Sequence, residues 1–475
     1  MKFVGREYEL NVLEKLYNED AFQFVVMYGR RRVGKTRLLS EFCKGKNAIF
    51  FVAEEYNDKM ALEKFSRKIL EHFHMDEWIQ KFDSWEKAFL FLNQKAEKEP
   101  LILVIDEFPY IVSANPSIPS LMQNLIDHQL KASKLFIVVC GSSMSFMEKE
   151  ILSYKSPLYG RRTAQMKIEP FDFFDSIKFF PNYSLEDKVT AYGIVGGIPQ
   201  YLLKFKDVFS IEENIKNQIL NKSSYLFEEP ATLLKQELRE LALYNSIIEA
   251  IATGSSKLNE IATKVGEDSS KSSNYIKSLI ELEILEKQIP IGEKENSKKT
   301  TYSIKNPLFR FWYRFIFTNI GLIEQEMIDY VYEKKILLEL NDFLGSTFKR
   351  ICVDFLKHKN KRMELPFIFE RIGQWWGNNP IMKREEEIEI LAISKDNALL
   401  GECKWRNQLL DMGVINSLLE KSQALSYKNK HYVFFSKSGF TDDVINFAKY
   451  NEKIILVDFK EIGIETTEKQ SEHKM

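Results

Sequence analysis

The chain alternates apolar runs with polar stretches, and the runs come in two kinds. Residues 22–28 (FQFVVMY) form a short apolar run containing Val25 and Val26. A polar, glycine-bounded stretch follows, GRRRVGKT at 29–36, and then TRLLSEF, with Leu38, Leu39 and Phe42 at helical spacing. This pattern predicts strand, loop and helix. AIFFVA (48–53) predicts a second strand. LILVIDE (101–107) and LFIVVCG (135–141) are unbroken apolar runs, as parallel strands covered on both faces require. Polar, helix-like stretches separate them, so the fold class expected here is α/β, with a doubly wound parallel sheet.

From about 165 to 240 the strand pattern fades. KIEPFDFFDSIKFF, GGIPQYLLKF and EENIKNQILNKSSYLF read as helices interrupted by Pro170, Pro181, Pro199 and Pro230, and predict a helical lid on the α/β core. Next, LYNSIIEAIATG is an amphipathic helix stopped at Gly254. Ser256 is expected to cap KLNEIATKVG, which ends at Gly266, and SSKSSNYIKSLIELEIL supplies a third helix. EKQIPIGEKENSKKTTYSI reads as two strands around a polar loop, and three helices with a hairpin predict a winged helix-turn-helix. NPLFRFWYRFIF (306–317) is an aromatic connector expected to be docked. A last region mixes helix and strand. The expected divisions are 1–165, 166–238, 239–320 and 335–465, with a frayed tail after about 465.

Composition narrows the class. Of 475 residues, 44% are apolar and 28% charged, which suits a globular chain with sizeable cores and excludes a mostly disordered one. Lys and Arg number 67 against 68 Asp and Glu, so a polybasic whole-molecule nucleic-acid binder is excluded while a local basic patch is not. Cys43, Cys140, Cys352 and Cys403 form no CxxC pair or zinc knuckle, and the histidines form no HExxH. A reducing cytoplasm is expected. MKFVGREYEL lacks a signal-peptide core, and the apolar runs are far shorter than the roughly 20 residues of a membrane span, so no membrane association is expected.

The chemistry concentrates in GRRRVGKT. Gly29 and Gly34 let the backbone curl so that its N–H groups converge on phosphates, at the positive end of the next helix. Lys35 reaches the β and γ oxygens, and the Thr36 hydroxyl ligates Mg²⁺. LILVIDE closes a buried strand with Asp106 and Glu107, at the end that opens into the ligand crevice. Asp106 is expected to hold the magnesium through water, and Glu107 to polarise the attacking water. The cofactors implied are ATP and Mg²⁺.

VGRE at 4–7, GRRRVGKT, VIDEFPY at 104–110, CGSS at 140–143, LYGRR at 158–162 and GGIPQYL at 196–202 together resemble the archaeal and bacterial AAA+/STAND-type P-loop ATPases. Members often carry a C-terminal domain of the PD-(D/E)XK nuclease type. The resemblance covers nearly the whole chain, in the family's order. It implies an adenine pocket built by the VGRE segment, with Arg6, and by Pro199; a nucleotide-binding set extending to Arg37; a polar sensor at Ser142; and an arginine finger at Arg161 or Arg162. A finger acting in trans implies a homo-oligomer. From the residues alone, a hydroxyl at a strand end can report the γ-phosphate, and an inserted Arg can stabilise transferring charge. A salt bridge is the other reading of the two arginines.

Two further constellations follow. The third helix of the 239–320 region is expected to expose Ser269, Ser270, Lys271, Ser272, Asn274 and Lys277, with Lys294, Lys298 and Lys299 in the hairpin loop, which suits DNA contact or a purely coupling role. In EEIEILAISKDNALLGECKW (386–405), a turn spanning 394–397 sets Glu389 opposite Glu402, whereas a turn at 396–397 sets it opposite Lys404. Glu389, Glu402 and Lys404 converge either way, and the acids are expected to take Mg²⁺ or Mn²⁺ with Lys404 beside them. The motif resembles the restriction-endonuclease-like core, with Glu389 in place of the usual Asp and Phe348-Lys349 in place of Phe-Glu. The function expected is an ATP-hydrolysing switch acting on DNA through the winged helix and the nuclease-like domain. The alternative is a nucleotide-gated protein-interaction scaffold whose C-terminal domain does not cleave.

Overall fold

A computed structural model describes residues 3–77, 80–380 and 382–464. The tail expected to fray after 465 lies outside the described residues. The chain divides into two compact units: Met1–Pro170 with Ile198–Gln200, and Phe171–Gly197 with Tyr201–Met475.

The first unit is built on β1 (Gln23–Tyr28), β2 (Ala48–Val52), β3 (Leu101–Asp106), β4 (Leu135–Gly141) and β5 (Ala164–Lys167), in the order β2-β3-β4-β1-β5. All four neighbouring pairs are parallel. Every residue of β1, β3 and β4 is buried, which is why these segments read as unbroken apolar runs. Alternate residues serve opposite layers. Phe24, Val26, Leu103 and Ile137 face a core with the helices Asp58–His72, Trp85–Lys95 and Ile118–His128. Val25, Met27, Val104 and Val138 face a core with Glu7–Tyr17 and Lys35–Phe42. Burying each such side chain contributes about 1.5–3 kcal/mol. The strand order sets the C-terminal ends of β1, β4 and β3 side by side. β5 went unread in the sequence because it is an edge strand with one buried residue, Met166.

The second unit begins with helices through Tyr225–Glu237. Most of the segment expected as a lid groups with this unit, while Ile198–Gln200 groups with the first. Phe173, Phe174, Ile177 and Val189 share one core with Leu344, Phe348 and Ile351, so apolar packing assigns the segment to the C-terminal unit. Helices Leu241–Ala252, Leu258–Val265 and Ser269–Glu281 follow, then the antiparallel pair β6 (Leu285–Gln288) and β7 (Thr301–Ile304). The 306–317 connector is buried at Leu308, Phe309, Phe311 and Tyr313. Ser256 does not cap its helix: the N-cap is Lys257, and the Glu260 carboxylate collects the N–H groups of Ser256 and Lys257, each at 3.1 Å.

The 25-residue helix Leu337–Lys361 leads into a mixed sheet of β8 (Arg371–Asn379), β9 (Arg384–Ser394), β10 (Asn397–Lys404), β11 (Asn429–Ser436) and β12 (Ile454–Asp458), ordered β12-β11-β10-β9-β8. One face (Ile390, Ala392, Leu399, Cys403, Phe435) packs on Phe348, Ile351 and Phe355 of the long helix. The other (Ile388, Leu391, Ala398, Leu400, Phe434) packs on helices Met412–Lys421 and Asp442–Lys449. Among the described residues no helix is long and apolar enough to cross a membrane.

Candidate functional site

The loop after β1 is shaped by two glycines. Gly29 sits at φ 151°, and a Cβ there would fall 2.4 Å from the Ile168 carbonyl oxygen, so no larger residue fits. Gly34, at φ 93°, is the N-cap of Lys35–Phe42 and supplies no side-chain cap, which leaves first-turn N–H groups for an anion. Lys35 is 6% exposed and donates to the carbonyls of Gly29 at 2.7 Å and Arg30 at 3.0 Å. Burial lowers its pKa, while Cys140, Glu107 and Asp106 oppose that shift.

The Thr36 hydroxyl donates to Asp106 Oδ2 at 2.7 Å, bringing loop and β3 end together across 70 residues of sequence. Asp106 is 3% exposed, and its other oxygen accepts the Glu107 N–H at 3.0 Å. Glu107 adopts a left-handed φ of 53°, a strained conformation of the kind that gathers at working sites. Its Oε2 accepts the Ser142 hydroxyl at 2.9 Å and the Ser142 N–H at 3.4 Å. Thus the ends of β1, β3 and β4 carry one connected set: Lys35, Thr36, Asp106, Glu107 and Ser142. Thr36 and Asp106 are hard oxygen donors and fit a magnesium ion that arrives with a nucleotide.

Other expected members fall differently. Pro199 stands beside the loop, its Cγ 3.6 Å from where a Gly34 Cβ would be. Arg6 lies against the loop. It donates to Val33 O at 3.1 Å and Glu169 O at 2.5 Å and pairs with Glu9, which braces the loop from behind. Arg37 lies on the solvent side of its helix, 57% exposed and 4.0 Å from Glu41. Arg161 is held by Asp127, with Nη2 at 2.8 Å and Nε at 3.2 Å from Oδ2. Asp127 lies 34 residues away, and no local pattern announces the pair. Arg162 lies 5.5 Å from the Tyr159 ring.

In the second unit, β9 and β10 pair from Asn397↔Ser394 to Gly401↔Ile390, the register that sets Glu389 opposite Glu402 at its next step. A bulge in β9, where Glu389 and Ile390 face the single Gln374 of β8, re-aims Glu389. Glu389 Oε2 accepts the Cys403 N–H at 2.7 Å. Burial and then Glu402 push the Glu389 carboxyl above its usual range, against Lys404 and Lys349. Lys404 Nζ donates to Glu402 Oε1 at 2.6 Å, and Lys421 Nζ stands 3.9 Å from Glu402 Oε2. Lys349 reaches Glu387 at 3.4 Å. Two ammonium groups, Lys404 and Lys421, therefore contact the acid pair at Glu402, and among the described residues no group of three or more His, Cys, Asp or Glu is arranged for a metal. Lys404 and Lys421 thus already supply counter-charge at Glu402 of the kind a divalent ion would bring.

The three-helix segment also differs in detail. Ser269, Ser270, Lys271, Asn274 and Lys277 are exposed, but Ser272 is fully buried with Ile276 and Leu279 on the inner face. The hairpin loop is not free. Ile291 N–H donates to Gln374 O at 2.9 Å, its side chain joins the core beside Ile388 and Leu391, and Trp376 Nε1 donates to Lys299 O at 3.0 Å. Arg350 grips the hairpin base through Glu286 at 2.8 Å and Lys305 O at 2.6 Å.

Residues 3–205 match a family described as an ATPase domain predominantly from Archaea, and residues 312–423 match one of archaeal and bacterial proteins of unknown function. Over 410 residues the chain is 37% identical to the uncharacterized protein MJECL04 of Methanocaldococcus jannaschii, covering 85% of this chain and 88% of that one. A stretch of 44 residues is 48% identical to the uncharacterized ATP-binding protein MJ0423 of the same organism, over 9% of this chain and 75% of that one. Among solved structures, the Walker-type ATPase PABY2304 of Pyrococcus abyssi aligns with TM-score 0.48 and 20% identity over 66% of this chain and 96% of its own. The ORC2 protein of Aeropyrum pernix aligns with TM-score 0.43 and 12% identity over 69% and 96%.

Proposed function

The chain belongs to the family of MJECL04, and with its own match to an archaeal ATPase domain over residues 3–205 as premise we propose that it is an AAA+/STAND-type molecular switch that binds and hydrolyses ATP and acts on DNA. The single observation that carries this reading is the Thr36–Asp106 contact, which joins the phosphate loop to the acid of a distant strand. Lys35 and the N–H groups at Gly34 receive the phosphates, and Pro199 borders the base. Mg²⁺, when bound with the nucleotide, neutralises charge on the β and γ oxygens, and Thr36 and Asp106 are the residues that would hold it. Glu107 orients the attacking water and takes its proton at the carboxylate. Ser142, hydrogen-bonded to Glu107 at 2.9 Å, ties the position of that carboxylate to the γ-phosphate.

The three helices and the β6–β7 hairpin form a winged helix-turn-helix in this reading, and its exposed helix Ser269–Glu281 meets the DNA. The C-terminal region, about 335–465, is a nuclease-like fold that does not cut, since lysines already neutralise its acid pair. The docked hairpin loop favours a second reading, a nucleotide-gated scaffold that self-assembles and uses the three-helix segment only for coupling. That reading needs an arginine acting in trans, and Arg162 is the one left for it, because Asp127 holds Arg161.

Calorimetry and phosphate release test the main reading together. Lys35→Ala loses the heat of Mg-ATP binding, whereas Glu107→Gln keeps it and loses turnover. Normal hydrolysis by Glu107→Gln removes the assigned water-positioning group. Duplex DNA retained at low salt and released steeply as salt rises supports the DNA reading, and no retention at any salt favours the scaffold.

A further inference from the structure

The segment between β4 and β5 has an unusual make-up. Over residues 142–163 it carries Lys149, Lys155, Arg161 and Arg162 against Glu148 and Glu150, and from Ile151 onward, the part that holds its tyrosines, all its charges are positive. It is also firmly built. Ile151, Leu152, Ser156 and Leu158 are buried, the three apolar ones in the same core as Phe24 and Leu103. Successive turns lock it, with Ser156 N–H on Ser153 O at 3.0 Å and Tyr159 N–H on Ser156 O at 3.0 Å, and Asp127 ties its far end through Arg161. Yet its two aromatic rings stay outside, Tyr154 at 75% exposed and Tyr159 at 48%. Each has a cation near its face: Lys155 Nζ lies 5.7 Å from the Tyr154 ring and Arg162 Cζ 5.5 Å from the Tyr159 ring.

Isolated exposed aromatics need no explanation. Two rings on a buried-anchored stretch whose own charges are all positive, with a cation beside each ring, form a different kind of surface. Rings offer faces on which unpaired bases stack, and the cations attract the backbone that links those bases. A paired duplex hides its base faces, and an acidic protein patch would match the cations but leave the rings unused. We propose that the Tyr154–Tyr159 loop of the ATPase unit is a stacking platform for an unpaired nucleic-acid strand. This contact goes beyond the DNA reading above and is separate from the helix Ser269–Glu281. Preorganisation by the buried anchors means that little chain entropy is lost on binding.

The test uses the full chain and three labelled probes in fluorescence anisotropy: an oligo-dT 20-mer, an oligo-U 20-mer and a 20-base-pair duplex. Tyr154→Ala with Tyr159→Ala weakens the single strands about tenfold per ring and leaves the duplex unchanged. Tyr154→Trp with Tyr159→Trp restores the strands. Lys155→Ala flattens the salt dependence by about 0.7 in log–log slope. Comparison of oligo-dT with oligo-U tells which strand chemistry is preferred. The proposal is overturned if the wild type retains neither strand, if the double alanine variant binds them undiminished, or if it alters self-association while strand binding stands. Failure of the DNA reading is seen independently in the duplex probe with Lys271→Glu and Lys277→Glu, and failure of the nucleotide reading in Lys35→Ala.

Discussion

Each unit of the molecule carries a pair of carboxylates at sheet strands, and the two pairs do opposite things. At the end of β3, Asp106 and Glu107 meet hydroxyl and backbone donors: Thr36, the Glu107 N–H and Ser142. The nearby cation, Lys35, is held on carbonyl oxygens at 2.7 and 3.0 Å rather than on either acid. At β9 and β10, Glu402 meets cations directly, with Lys404 at 2.6 Å and Lys421 at 3.9 Å, and Glu389 lies beside it on the Cys403 N–H at 2.7 Å. Residue type is the same in both. What differs is whether the protein has already supplied the counter-charge. An acid satisfied by neutral donors keeps its affinity for a metal or for a proton from water, and one paired with ammonium groups has become part of the scaffold.

The largest effect that would break this contrast is at Glu107. Glu107→Gln should cut ATP turnover by about 10²–10⁴-fold with binding heat unchanged, while Glu402→Gln and Glu389→Gln leave turnover at the wild-type level. Next, Glu402→Gln leaves the Lys404 ammonium without its buried partner and should destabilise the second unit by about 2 kcal/mol, read by urea denaturation. If stability is unchanged, the second pair is not structural. Ile291→Ala should cost a similar amount, about 2 kcal/mol, because it empties a site in the core beside the β9 bulge. The smallest effect is pH-dependent. Glu389 has a folded pKa raised above 4.5, so its contribution to stability is fully present below the unfolded value and is lost as pH rises through the folded one. Glu389→Gln should flatten that slope and leave the fold slightly more stable at neutral pH.

Much of the first unit was legible in the sequence because strands covered on both faces cannot hide: β1, β3 and β4 are apolar at every interior position. The phosphate loop was legible because Gly29 and Gly34 are required by the backbone itself. The β9–β10 register could be reduced to two choices from the turn residues, and the pairing follows the one with Glu389 facing Glu402. Other features depend on partners distant in the chain. The Asp127–Arg161 pair, the placement of Phe173 and Phe174 beside Phe348, and the bulge opposite Gln374 leave no periodic trace. Ser272 was misplaced because a small polar residue is as easily buried at an i, i+4 position before Ile276 as exposed. Arg6 was assigned to the nucleotide by the resemblance of VGRE alone, and its contact with the Val33 carbonyl, 27 residues on, leaves no pattern in the sequence.

The docking of the hairpin loop on β8 has a bearing on solubility. β8 is the terminal strand of the C-terminal sheet, and such a strand offers bare main-chain groups to any other extended chain. The Ile291–Gln374 bond and the Trp376–Lys299 contact turn part of that border inward, so the loop serves as a built-in guard against strand-to-strand association between molecules.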